Sequence, residues 1–188
     1  MEKGQAMKSV FKSDPDKKRI AALFDGVFAV AMTILVLELK LPRLQDGDSI
    51  GELWAALRNH GSTFFSYLLS FFILGSLWIV HNRIFGKLLR ISGAALAVHM
   101  ALLITAAFFP FSVHLYGSYT GNTLGGLIYF GTIILLYAEM LALVVVADRG
   151  RLFEPDVPRN DVKKLRRGFL WTILLLAAAY ILIYLFPF

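Results

Sequence analysis

The stretch "RIAALFDGVFAVAMTILVLELKLP", Arg19 to Pro42, is long enough to cross a bilayer, yet it carries Asp25 near one end and Thr33 near its middle. In hydrocarbon such groups are costly unless something compensates them, so each needs an explanation. With residues set about 100° apart and Val30 as origin, Gly26, Val30, Thr33, Ile34, Leu37 and Leu41 fall within about 60° on either side and form one narrow stripe. Asp25 lies about 140° away, alongside Phe28, Met32 and Leu39. The two polar residues therefore have different surroundings. Asp25 is expected to point into neighbouring helices, and Thr33 to share a face with small and aliphatic side chains.

The rest of the chain has the composition of a membrane protein. Of its 188 residues 57% are hydrophobic and only 17% charged, with a mean hydropathy of +0.66. A soluble domain of that length would need far more polar surface. Five apolar spans are predicted at roughly 20–41, 62–82, 93–116, 123–147 and 168–187, each long enough to cross when set against about 20 residues at 1.5 Å rise. All five are expected to be helices, because an unpaired backbone group in lipid is expensive. The fold class is thus all-α, a polytopic transmembrane helix bundle. The first apolar run is too long for a signal peptide and has no small-residue cleavage site, so it is expected to stay as a helix. There is no cysteine, hence no disulfide framework and no thiolate metal site.

Basic residues set the predicted topology. Six lie ahead of the first span (Lys3, Lys8, Lys12, Lys17, Lys18, Arg19), three between spans two and three (Arg83, Lys87, Arg90) and seven between spans four and five (Arg149, Arg151, Arg159, Lys163, Lys164, Arg166, Arg167). The positive-inside bias puts the N-terminus and both basic loops in the cytoplasm of a multi-pass cell-membrane protein. That topology accounts for the net charge of +6 and calls for no nucleic-acid partner. Residues 1–18 read as a cytoplasmic arm, and 19–188 as one transmembrane domain with a basic cytoplasmic loop over 148–167. "GELWAALRNH" is amphipathic and should extend span two outward, with Gly61 as a break. Pro110 should kink or end span three. "GSYTGN" makes a tight hairpin into span four, and Gly121 and Gly125 have the spacing of a GxxxG contact. His60 and His114 fall near the outer surface. No nucleophile with a base, metal-ligand spacing or phosphate-cradling loop is present, so an enzyme is not expected, nor is a cofactor.

The first span resembles a known signature. Arg19, Leu23, Phe24, Asp25 and Thr33, followed by "ILVLELKLP", are similar to the first-helix pattern R-x-x-x-F-S-D of the transmembrane protein 175 family, the endolysosomal potassium channels and their prokaryotic homologues. "SLWIVHN" at the end of span two and "LLITAAFFPF" in span three also resemble that family. The resemblance implies a single-repeat homotetramer with four first helices around a central pore, permeable to potassium and other monovalent cations. Carried over residue by residue, it implies an aliphatic constriction at Val30, Ile34 and Leu37 and a selectivity-tuning hydroxyl layer at Thr33, the residues that share the stripe. Aliphatic rings can gate by dewetting, and hydroxyls can replace part of an ion's hydration shell. Two departures stand out. Phe24 takes the place of the family's Ser, and five spans are counted where the family repeat has six.

Span one runs outward and span two returns, which sets Asp25 at the depth of His81 and Asn82; with this, the resemblance implies a polar cluster of Arg19, Asp25, Trp78, His81 and Asn82 that holds the first helix at its angle. Trp78 and His81 as plain interfacial anchors fit the same positions. His99 and Glu139 come out at similar depth and are a candidate titrating pair; a neutral Glu139 bonded to a neighbouring helix is the simpler alternative. Thr33 can also back-bond to the Ala29 carbonyl. The function implied is a potassium-permeable cation channel. The rival readings are a proton-coupled transporter with Asp25, His99 and Glu139 as relay, and a non-conducting structural subunit.

Overall fold

The computed structural model describes residues 17–39, 49–119 and 121–185, and among them every regular element is a helix. Most of the expected arm over 1–18 and residues 40–48 after the first span, Leu41 of the stripe among them, lie outside the described residues. Helix α1 covers Lys17–Ile34 and tightens into a 3₁₀ turn, Leu35–Glu38. It is followed by α2 (Ile50–Asn59), α3 (Gly61–Gly86), α4 (Gly93–Ser118), α5 (Thr123–Arg149) and α6 (Arg159–Leu185). All but α2 belong to segments long and apolar enough to cross a membrane, giving five spans.

Local chemistry sets the boundaries. Ser49 caps α2 by accepting from the Glu52 amide at 3.2 Å, Ser92 caps α4 through the Ala95 amide at 3.2 Å, and Asn122 caps α5 through the Leu124 and Gly125 amides at 2.9 and 3.1 Å. Each side chain satisfies donors that the first helical turn leaves without partners. The break between α2 and α3 falls at His60, one residue before the glycine expected to make it, and the His60 ring bonds back to the Ala56 carbonyl at 2.9 Å. Helix α4 passes through Pro110 without ending. Gly121 is a turn residue with φ +84°, so it takes no part in a helix–helix contact; Gly125 does, with a Cβ there 3.6 Å from the Leu115 carbonyl.

The largest difference from the expected layout concerns the basic loop. Helix α5 runs to Arg149 and α6 begins at Arg159, so the connection is only 150–158, and Lys163, Lys164, Arg166 and Arg167 are helical. Hydropathy registers only the apolar part of a helix, and the turns that emerge into the headgroup layer carry charge. This connection is bound to the one between α3 and α4. Leu89 donates to the Leu152 carbonyl at 2.8 Å, Glu154 to the Lys87 carbonyl at 3.0 Å, and the Lys87 ammonium lies 3.8 Å from Glu154 and 3.7 Å from Asp156. The Lys17 ammonium at the start of α1 reaches the carbonyls of Gly86, at 3.3 Å, and Leu88.

The core runs along the middle of the bundle. Phe24, Phe28 and Leu35 of α1 and its 3₁₀ turn pack with Leu74 and Leu77 of α3, Leu102 and Phe109 of α4, and Leu136 and Met140 of α5, all essentially inaccessible. Helices α4 and α5 form the most extensive pair, in antiparallel register, with Tyr116 stacked on Tyr129 at 4.9 Å. Helix α6 packs on α5, and its outer face, including Trp171 and Leu175, stays exposed. The approach at Gly125 supplies a test of this packing. Gly125→Ala should be tolerated, since its added carbon meets ordinary van der Waals distances, whereas Gly125→Leu should destabilise the α4–α5 hairpin by about 1–3 kcal/mol, read as a lower melting temperature of the detergent-purified protein.

Candidate functional site

Helix α1 has two unlike faces. Ile20, Phe24, Phe28, Ala31 and Leu35 recur at helical spacing and are buried against the bundle. The stripe opposite is open: Val30 is 56%, Ile34 39% and Leu37 68% exposed, and Thr33 is exposed beside them. The 3₁₀ turn keeps this stripe straight. In 3₁₀ geometry side chains three apart eclipse, so Leu37 is brought toward line with Ile34, where an α-turn would set it about 60° aside. A groove of about 440 Å³ flanks the stripe, with the small residues Ala22, Gly26 and Ala31 of α1 and Ala107 of α4 in its walls and Val30 and Ile34 at its edge.

The Thr33 hydroxyl donates to the Val30 carbonyl at 2.9 Å, one residue beyond the Ala29 carbonyl that back-bonding was expected to use. That bond occupies the hydroxyl proton. The oxygen lone pairs remain available, which is the half of a hydroxyl that a cation can use.

The polar cluster divides into two parts. The Trp78 indole donates to Asp25 Oδ1 at 2.8 Å and the Asn82 amide donates to the same oxygen at 3.4 Å, tying α1 to α3. Asp25 is itself exposed, so it is held at the surface of the bundle and does not enter its interior. Arg19 is exposed and forms no ion pair with Asp25. His81 turns the other way. It is fully buried, shares a 3.2 Å hydrogen bond with His99 of α4, and lies under the Phe24 ring at a centroid distance of 3.4 Å with planes 11° apart. Phe24, where the resembled signature has Ser, therefore contributes an aromatic lid over His81, with Phe85 on its other neighbours at 5.3 Å from each imidazole.

The pairing of His99 with Glu139 is not made. Glu139 Oε1 accepts from the Thr105 hydroxyl at 2.9 Å, and His99 belongs to His81. The reason is register. The turn that sets Tyr116 against Tyr129 sets Thr105 against Glu139, so His99 stands six residues, about 9 Å, further along α4. Thr105 could have been found by counting outward from the hairpin turn, and the His81–His99 pair from the two rings' distances to the short α3–α4 connection. His60 and His114 also come together, in the walls of a recess of about 200 Å³ that Tyr67 and Ser66 share.

The register makes a prediction. In a double-mutant cycle on stability, Thr105→Val and Glu139→Leu should couple by about 0.6 kcal/mol or more, the size typical of hydrogen bonds between membrane helices. His99→Gln and Glu139→Gln should add within about 0.5 kcal/mol, as separated sites do.

Several known proteins are similar to this chain in sequence or fold. The family model described as endosomal/lysosomal potassium channel TMEM175 matches residues 19–110. A potassium channel of Streptomyces collinus is 28% identical over 155 residues, covering 79% of this chain and 74% of the relative. A potassium channel of Chamaesiphon minutus is 36% identical over 101 residues, 54% of this chain and 49% of the relative. The endosomal/lysosomal proton channel TMEM175 of Gallus gallus is 35% identical over 83 residues, 41% of this chain and 17% of that much longer protein. The crystal structure of a lysosomal potassium-selective channel TMEM175 homologue from Chamaesiphon minutus superposes with a TM-score of 0.76 at 25% identity, covering 91% of this chain and 88% of that one. The family model takes in the first two spans and most of the third, and the solved relative's fold takes in 91% of the chain, so in sequence and fold the chain is similar to the TMEM175 family, a family of channels and not of enzymes.

Proposed function

We propose that this protein is a potassium-permeable cation channel of the cell membrane, in which four copies set their α1 helices around a central pore and the N-terminal end of α1 faces the cytoplasm. One observation carries the reading. A membrane helix whose aromatic face is locked into its own bundle leaves the stripe Val30, Thr33, Ile34 and Leu37 open, with a hydroxyl among aliphatic side chains. The small-walled groove beside that stripe supports assembly, because small residues let a neighbouring helix approach closely. The relatives named as potassium channels support the ion.

In this reading Val30, Ile34 and Leu37 form aliphatic rings that control wetting, and Thr33 presents oxygen lone pairs to a partly dehydrated cation. Asp25, through Trp78 and Asn82, fixes the angle of α1 and binds no ion itself. Conduction is passive. A proton relay through Asp25, His99 and Glu139 is disfavoured by the hydrogen bonding, since each of the three is engaged with a different partner and none with another.

Reconstituted protein should give a potassium/sodium reversal potential that moves with the potassium gradient and is indifferent to a proton gradient; a reversal potential that tracks protons, or no flux, overturns the proposal. Val30→Ala and Ile34→Ala should raise unitary conductance or weaken selectivity. Thr33→Val should lower the potassium/sodium permeability ratio, and a constant ratio would remove Thr33 from the selectivity layer.

A further inference from the structure

The basic residues that the fold places on α6 line a site that the pore does not use. Where α5 ends and α6 begins, a groove of about 340 Å³ opens between the two helices. Leu141 and Val145 of α5 and Leu170 of α6 form its apolar walls, and Lys163, Arg166 and Arg167 stand over it. On α6 the residues Lys163, Arg167 and Leu170 follow one another at helical spacing along one face, so charge gives way to hydrocarbon within about 10 Å of axis. Lys163 and Arg167 also line a second recess, of about 290 Å³, with Asn160 and Lys164 on the polar side. A polar recess and an apolar groove thus meet at the same two cations.

The neighbouring charges are already engaged. Arg166 bonds Asp148 at 3.1 Å, Lys164 lies 3.9 Å from Asp161, and Glu154 and Asp156 belong to Lys87. Lys163 and Arg167 have no ion pair among the described residues, which leaves two positive charges at the junction. Among the described helices α6 makes its close backbone contacts with α5 alone, and none with α1.

We infer that the α5–α6 groove binds one anionic glycerophospholipid, its phosphate between Lys163 and Arg167 and an acyl chain along Leu141, Val145 and Leu170. The chemistry matches the amphiphile at both ends. A phosphodiester satisfies two cations that water alone would otherwise solvate, and the chain fills a groove too apolar to hold a soluble anion. The inference stands whether or not the protein conducts.

The test uses full-length protein in mixed micelles of phosphatidylglycerol and phosphatidylcholine, with bound lipid counted by native mass spectrometry. Wild type should retain phosphatidylglycerol in preference, at one molecule per chain. Lys163→Gln with Arg167→Gln should weaken that retention about 30-fold, the ratio equivalent to about 1 kcal/mol for each basic residue at the membrane surface. Val145→Trp, which fills the groove and leaves both charges in place, should abolish it too; Leu170→Trp serves the same purpose if the first variant does not elute as folded protein. Equal retention of the two lipids by wild type overturns the inference. So does a loss caused by the charge variants but by neither tryptophan, which would mean diffuse attraction with no groove. Displacement by soluble glycerol phosphate as effective as by phosphatidylglycerol would make this a free-anion site and would also overturn it.

Discussion

The burial of one face of α1 is the constraint on which the rest depends. Within a bilayer there is little hydrophobic force to press helices together, so position is set by close packing and by hydrogen bonds. Phe24 and Phe28, stacked at 4.2 Å, fill the space between α3 and α4, and Asp25 clips the same helix to Trp78 and Asn82. Packing and polar bonds on one side fix the rotation of the helix. The opposite stripe is then exposed as a consequence of that rotation, and exposure of Val30, Thr33, Ile34 and Leu37 needs no separate cause.

The exchange of a serine for Phe24 fits this account. Position 24 lies on the buried face of α1, away from the exposed clip at Asp25, and its phenyl ring is turned over the imidazole of His81. His81 then shares its Nε2 with His99 Nδ1, a bond that requires one proton between two nitrogens and so cannot persist if both rings are doubly protonated. The chain thereby joins α1, α3 and α4 by aromatic stacking.

Much of this was legible in the sequence, and what was not has identifiable physical causes. The five spans follow from hydropathy because a lipid-facing backbone leaves no alternative to helix. The separation of Asp25 from the Thr33 stripe follows from angle alone, and the link from Asp25 to Trp78 and Asn82 from depth together with the resemblance of the first two spans to a known family. The beginning of α6 did not, because Lys163, Lys164, Arg166 and Arg167 depress the hydropathy of a segment that is helical all the same. The partner of Glu139 was misplaced by counting depth from helix ends, which shift by turns; the hairpin turn at Asn122 is the firmer origin, and it pairs Glu139 with Thr105. The side to which the His81 ring turns was out of reach, since it depends on stacking among Phe24, Phe85 and His99, which come from three different helices.

The 3₁₀ turn at Leu35–Glu38 also changes how far α1 reaches. Four residues in that geometry advance about 8 Å, against about 6 Å in an α-helix, and they do so on a slimmer coil. The first helix therefore spans more of the hydrocarbon thickness than its residue number suggests, and its far end has a smaller girth than its beginning. A bundle built around such helices would taper toward one leaflet by backbone geometry alone, before any side chain is considered.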